Sequence, residues 1–195
     1  TAWNNANSPA NNTAFPVSID GLFDDWSSVP IAYNDDLDDG GDENFERLKI
    51  ANDNDFLFIY LEFQSENVLM QDWNNIHMFI DADMDTETGY FVHGIGAELD
   101  WCFGCRDGEY YSMNGVIDLE QNDITLRIAP TITDSKFEIA ISRNSSFITM
   151  DGAQDASEIR VVFTSGGGNE DTMPDETGGI YYEFDNTHVP APVSI

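Results

Sequence analysis

Apolar residues recur at every second position in run after run of this chain, the period of a β-strand whose side chains alternate between two faces. In the strongest run Leu57, Ile59, Leu61 and Phe63 point one way, and Phe56, Phe58 and Tyr60 the other. Both faces are apolar, which predicts a central strand covered on both sides. Ile76, Met78 and Ile80 alternate with His77, Phe79 and Asp81, and Ile124, Leu126 and Ile128 with Thr125 and Arg127. Phe137, Ile139 and Ile141 alternate with Glu138 and Ala140, and two more runs hold Ile159, Val161, Phe163 and Ile180, Tyr182, Phe184. Weaker strands are expected near 47–50, 91–99, 109–113 and 116–119, and one helical turn around 66–73. No segment has the apolar stripe of a three-turn helix. Roughly eight to ten strands without crossover helices predict an all-β fold, an antiparallel two-sheet β-sandwich of jelly-roll or immunoglobulin-like architecture, because parallel pairs need such crossovers. The Gly-rich, acidic stretch 165–179 reads as the longest irregular loop.

The chain has 195 residues, enough for one domain with arms. Residues 1–16 lack periodicity and read as an N-terminal linker, 17–187 as the sandwich, and 188–195, with two prolines, as a C-terminal linker. Both ends read as cuts from a longer protein. Apolar residues make 41% of the chain and aromatics 12%, so it can build a core. Lys and Arg number 7 against 37 Asp and Glu, a net charge of −30. Seven cations cannot line a groove for nucleic acid or an anionic membrane, and no apolar run is long enough to span a bilayer. Partners are expected to be neutral, cationic or metal ions, and the self-repulsion suits a cation-rich extracellular, marine or halophilic setting.

The two cysteines, Cys102 and Cys105, suit a local disulfide in an oxidising compartment. Free thiols, or a metal or redox pair, are the alternatives. They lie in a stretch, 101–108, that reads as a loop. Two acidic clusters stand out. Asp81, Asp83 and Asp85 alternate directly after a strand, and such carboxylates can converge on Ca²⁺, which takes six to eight oxygens in flexible geometry. The spacing is not that of an EF-hand, since Thr86 and Val92 stand where Gly and Glu would be needed. Asp38, Asp39 and Asp42 belong to the second cluster, which spans 35–43. For the first, a solvated turn or side-chain capping of the loop is the alternative to an ion; for the second, a disordered loop is.

Motifs for catalysis are lacking: there is no His-Glu-x-x-His, no Gly-x-Ser-x-Gly and no phosphate loop. Paired carboxylates carry little information in so acidic a chain. His77 alternates with core positions and is expected to face a cleft. Of the tryptophans Trp3, Trp26, Trp73 and Trp101, Trp26 is the one expected to be buried. Aromatic faces beside polar groups suit sugars, whose C–H faces lie on rings while hydroxyls are hydrogen-bonded. Trp73 with Asn74, Tyr90, and the cysteine-bounded group Trp101, Arg106 and Tyr110 have these ingredients; core packing is the alternative for each Trp.

Four motifs taken in order resemble the family 9 carbohydrate-binding module-like domain. They are Ile19-Asp20-Gly21 leading to Asp25-Trp26; the acidic Gly41-Asp42 stretch leading to Ile50–Ile59; Ile76–Asp83 ahead of Thr88-Gly89-Tyr90 and 94–98; and Phe137–Ser142. The match spans roughly 17–187. The resemblance implies a β-sandwich with bound calcium and a sugar held between aromatic rings. His77 stands where the family strand often has Glu, and the place of one sugar-clamping Trp falls on Gln71, two residues before Trp73.

These readings predict a secreted or cell-surface, calcium-stabilised, non-catalytic carbohydrate-binding accessory domain. Its expected partners are neutral or amino-sugar-containing glycans and neighbouring domains of a larger chain, with no nucleic acid and no membrane insertion, and the domain itself is expected to be monomeric. A structural or adhesive module without a sugar ligand is the alternative, and a glycan-active enzyme a remote one.

Overall fold

A computed structural model of the chain describes residues 17–36, 43–65, 67–152, 155–166 and 171–185. Trp3, Asp38, Asp39, Asp42 and His188 lie outside the described residues. The expected antiparallel β-sandwich is what the chain forms. One sheet contains β1 (Ile31–Asn34), β2 (Phe45–Asn52), β3 (Phe56–Phe63), β10 (Arg127–Ala129) and β11 (Lys136–Ser142), in the order β1-β2-β3-β11-β10. The other contains β4 (His77–Asp81), β7 (Leu99–Cys102), β8 (Asp107–Ser112), β9 (Gly115–Glu120), β12 (Glu158–Ser165) and β13 (Asp171–Met173), in the order β13-β12-β4-β7-β8-β9, with β14 (Ile180–Glu183) also paired to β12. A small hairpin is made by β5 (Tyr90–Val92) and β6 (Ile95–Ala97).

Register follows the apolar alternation. Ile59 sits between Ile50 and Ile139, and Leu61 between Leu48 and Phe137. In the facing sheet Ile80 pairs with Val161 and Leu99, and Met78 with Phe163 and Trp101. All these side chains belong to one buried cluster between the sheets. A slip by one residue would turn each set away from the core, so burial itself holds the register. At one end Asn52 is fully buried yet satisfied: its Nδ2 donates to the carbonyls of Asp53 and Asp185, both at 2.9 Å, and its Oδ1 accepts from Tyr182 Oη at 2.7 Å and Asp185 N at 2.9 Å.

Two further layers explain why β3 and β12 are apolar on both sides. Residues 17–29 cross the outer face of the first sheet, where Trp26 and Val29 pack on Ala51, Phe58, Tyr60 and Ala140. The β5–β6 hairpin covers the outer face of the second, where Ile95 and Ala97 meet Phe79 and Val162. The segment 17–29 is tied down by Glu138, which is fully buried on β11. Its Oε1 accepts from Trp26 Nε1 at 2.9 Å, and its Oε2 from the backbone N–H groups of Asp20 and Gly21 at 3.0 and 2.8 Å. Burial pushes this carboxyl up from its ordinary pKa, and the three N–H donors oppose that shift.

Several local expectations are corrected. The single strand expected over 91–99 is broken at Gly94, whose φ of +83° permits the tight turn of the β5–β6 hairpin, and a new strand starts at Leu99. The stretch 101–108 is not a loop throughout: Trp101 and Cys102 end β7, Asp107 begins β8, and only the turn between them is irregular. Asp171–Met173, inside the expected irregular stretch, pairs with Phe163–Ser165. No helix forms over the described part of 66–73, where Val68 bridges to Asp134 and Asp72 N–H closes a turn on Leu69 O, and the described residues hold one short α-helix, Ser146–Thr149. Among the described residues no helix is long and apolar enough to cross a membrane.

Replacing Glu138 with Ala strands three donors, one of them an indole N–H. Urea denaturation of Glu138→Ala is expected to show a loss of about 3 kcal/mol, because each unmet buried partner costs about 1–3 kcal/mol. A midpoint equal to that of the unaltered chain would show that residues 17–29 are held by apolar packing alone.

Candidate metal centre and aromatic platform

The acidic loop leaves β4 at Asp81 and returns through the β5–β6 hairpin to Glu98. Two glycines let the backbones come close enough for this. A side chain on Gly96 would meet the carbonyl oxygens of Thr88 and Asp85 at 2.3 and 2.4 Å, and one on Gly89 would meet Ala97 O at 2.4 Å. Gly89 also has a φ of +67°, a conformation L side chains rarely adopt. Glu98 then lies against the start of the loop, where its Oε2 accepts from Ala82 N–H at 2.7 Å.

The outcome is a convergence of Asp81, Asp83 and Glu98, each offering a carboxylate oxygen within 4.8 Å of the others. Asp81 is fully buried and Glu98 only 5% exposed, whereas Asp83 faces solvent. Asp81 Oδ1 accepts from Met84 N–H at 2.7 Å, while Asp81 Oδ2 and Glu98 Oε1 are buried without a hydrogen-bond partner. A buried carboxylate oxygen with no donor is costly. Burial, the first cause in each case, pushes Asp81 up from 3.8 to about 6 and Glu98 up from 4.5 to about 7, and the charge of Asp83 adds to both shifts. A hard cation fits this donor set: the ligands are all oxygen, and two of the oxygens lack any other partner.

Of the expected ligands, Asp81 and Asp83 are brought together and Asp85 is not. Asp85 Oδ1 instead accepts from Glu87 N–H at 2.9 Å, which makes it a cap of the loop. Asp83 is steadied by Thr88, whose hydroxyl reaches its two carboxylate oxygens at 3.1 and 2.9 Å. Glu98 takes the third place. Its signal in the sequence is a carboxylate inside the apolar run Ile95–Leu99, where burial demands a partner.

The expected sugar-binding residues separate into two sets. Trp101 is a correction: it is 1% exposed and packs between the sheets, so it offers no ring to a ligand. Tyr110 is likewise buried, at 4%. Trp26 is buried as expected. Trp73, by contrast, is 94% exposed at a φ of +55°. A bulky residue in that region is strained, and the loop holds it there by many contacts. Asn74 Nδ2 donates to the carbonyls of Leu69 and Met70 at 2.8 and 2.9 Å, and Asn74 Oδ1 accepts from Ile76 N–H at 3.0 Å. Arg106 Nε donates to Gln71 O at 2.6 Å. Gly104 passes so close beneath that a Cβ would lie 2.1 Å from Asn74 O. The turn bearing Gly104 is closed by the Cys102–Cys105 disulfide, with a Cα–Cα distance of 5.2 Å. Asn74 and Arg106 therefore position the loop under Trp73.

The second sheet's outer face carries a groove of about 510 Å³ lined by His77, Asp100, Glu109 and Asp118 among others. The three carboxylates face one another across adjacent strands, since Asp100 pairs with Glu109 and Glu109 with Asp118. His77 Nδ1 lies 2.6 Å from Asp100 Oδ1. Beside them His77, Phe79, Tyr90 and Tyr111 form a ladder of rings with successive centroids 5.7, 5.9 and 5.4 Å apart. Tyr90 is 44% exposed and thus half-available to a ligand.

Because Asp81 and Glu98 have raised pKa values, the cation-free fold holds protons that the unfolded chain releases. Their contribution is fully present below about pH 4 and is lost as pH rises to about 7. Denaturation midpoints measured in chelator across this range are expected to fall more steeply for the unaltered chain than for Glu98→Gln, which removes the titrating group. Parallel slopes would contradict the desolvation described. In comparisons with known proteins, no family model, no curated protein and no solved structure matches the chain.

Proposed function

We propose that the chain is a secreted, non-catalytic binding domain that is stabilised by calcium and holds glycans through an exposed tryptophan. The observation that carries this reading is the pair of unpartnered, buried carboxylate oxygens on Asp81 and Glu98, completed by Asp83. Calcium supplies the positive charge that the chain, at −30, lacks, and its coordination tolerates the irregular arrangement of three carboxylates. The resemblance to family 9 carbohydrate-binding modules supports the same ion and the same ligand class.

Trp73 supports the glycan half. Its face is open to solvent on a loop pinned by Asn74 and Arg106, and rings of this kind stack on the apolar face of a sugar. The row Asp100, Glu109 and Asp118 disfavours anionic glycans, so the ligands are neutral or amino-sugar-containing. A structural or adhesive role is the second reading, favoured by the burial of Trp26 and Trp101; the exposure of Trp73 weighs against it.

Calcium at about a hundredfold excess over its Kd is expected to stabilise the fold by about 2.7 kcal/mol, roughly 5–10 °C in Tm for a chain of this size. Asp81→Asn and Glu98→Gln are expected to remove that response while raising the Tm measured in chelator at pH 8. A Tm indifferent to calcium and chelator would end the calcium reading. On a glycan array in calcium, Trp73→Ala is expected to weaken binding at least about tenfold, equivalent to about 1.4 kcal/mol, with Tm unchanged. No glycan bound by the unaltered chain would end the sugar reading and leave the structural one.

A further inference from the structure

A second cavity opens beside the acidic loop, away from Trp73. It has a volume of about 360 Å³, and its walls include Asp83, Glu98, Tyr110, Tyr111, Met150 and Asp151. That volume lies within the range of small-molecule sites. Two of the three converging carboxylates thus form part of its wall, while the third, Asp81, is fully buried and does not line it.

The donor count leaves room for a ligand. A calcium ion takes six to eight oxygens. One oxygen of Asp81 is committed to Met84 N–H and one of Glu98 to Ala82 N–H, and Asp83 shares its oxygens with the Thr88 hydroxyl. Glu98 Oε1 is buried, has no hydrogen-bond partner, and belongs to a residue that is 95% buried yet lines the cavity. Three carboxylates so engaged cannot fill the coordination of a hard cation alone, and the cavity is where further oxygens have access.

We propose that this cavity is a ligand site completed by the cation, and that it takes a neutral molecule with two adjacent hydroxyls. Those hydroxyls fill coordination positions left open by Asp81, Asp83 and Glu98, while the carbon face of the ligand lies on Tyr111 and Met150. The charge on the walls sets the class: Asp83, Glu98 and Asp151 stand there with no Lys or Arg among the lining residues, so an anionic ligand is repelled. This inference rests on the cation reading given above and differs from the Trp73 surface, since Trp73 lines another part of the molecule.

Terbium(III), a hard-cation stand-in excited through Tyr110 and Tyr111, tests both layers separately. Luminescence lifetimes in H₂O and D₂O report the water molecules on the ion. The ion is expected to carry water in the sugar-free protein. D-mannose and L-fucose, which bear adjacent cis hydroxyls, are expected to displace it and lengthen the lifetime saturably, whereas isopropanol leaves it unchanged. Tyr111→Ala is expected to keep the luminescence, sensitised by Tyr110, and to lose the sugar response; its retained terbium signal also reports that the site has folded. Bound terbium whose lifetime neither sugar alters would overturn the ligand site and leave the cation reading standing. Luminescence that survives Asp81→Asn combined with Glu98→Gln would place the ion elsewhere and overturn both.

Discussion

Burying carboxylates with almost no basic side chains is the constraint on which this structure turns. The chain meets it in three ways. Glu138 is surrounded by N–H donors and so holds a covering segment on the first sheet. Glu62, also buried, uses two of the seven cations: Arg47 Nη1 at 2.7 Å and Lys136 Nζ at 3.5 Å, with Tyr60 Oη donating at 2.9 Å. Asp81 and Glu98 each keep one buried oxygen without a hydrogen-bond partner, and the charge of Arg160, across the strand from Asp81, only partly offsets the burial of that carboxyl. An uncompensated buried charge shifts its pKa or recruits a counter-ion, and both consequences converge on the same loop.

That loop is placed by apolar packing immediately beside its carboxylates. The β5–β6 hairpin lies on the second sheet because Ile95 and Ala97 fill the outer surface left by Phe79 and Val162. Once the hairpin is seated, Glu98 follows it into β7 and faces Asp81, its neighbour across the turn. The absent side chains of Gly89 and Gly96 make this approach possible. Apolar burial of the hairpin therefore supplies free energy that holds like charges together.

The aromatic platform is built on a different principle. Trp73 is not held by its own ring, which touches solvent, but by the loop beneath it, where Asn74, Arg106 and Gly104 lock the backbone. The disulfide limits the turn that carries Gly104 and Arg106. A ring fixed in this way loses little freedom when a flat ligand covers it, so binding retains more of the contact energy.

Much of the fold was legible because its signals are local. The alternation in β3, β11 and β12 needs only the period of a strand, and the acid-rich turn after Ile80 advertises itself by composition. Trp26 was readable as core from its place between an acidic turn and Val29-Pro30. The third member of the acidic centre was not, since Glu98 arrives from the junction of β6 and β7, whereas Asp85, closer in sequence, stays exposed and caps its own loop. Trp101 carried a local signal that Trp73 lacks: Ala97, Leu99, Trp101 and Phe103 alternate with Glu98, Asp100 and Cys102 as the inward face of a strand does, whereas Trp73 stands among Asp72, Asn74 and Asn75. Sequence alone determined which segments are strands, that they pack as two antiparallel sheets, and that the surface is overwhelmingly negative. Only the tertiary structure decided which carboxylates lose water, because solvation depends on what other strands bring alongside, and no neighbour in the chain carries that information.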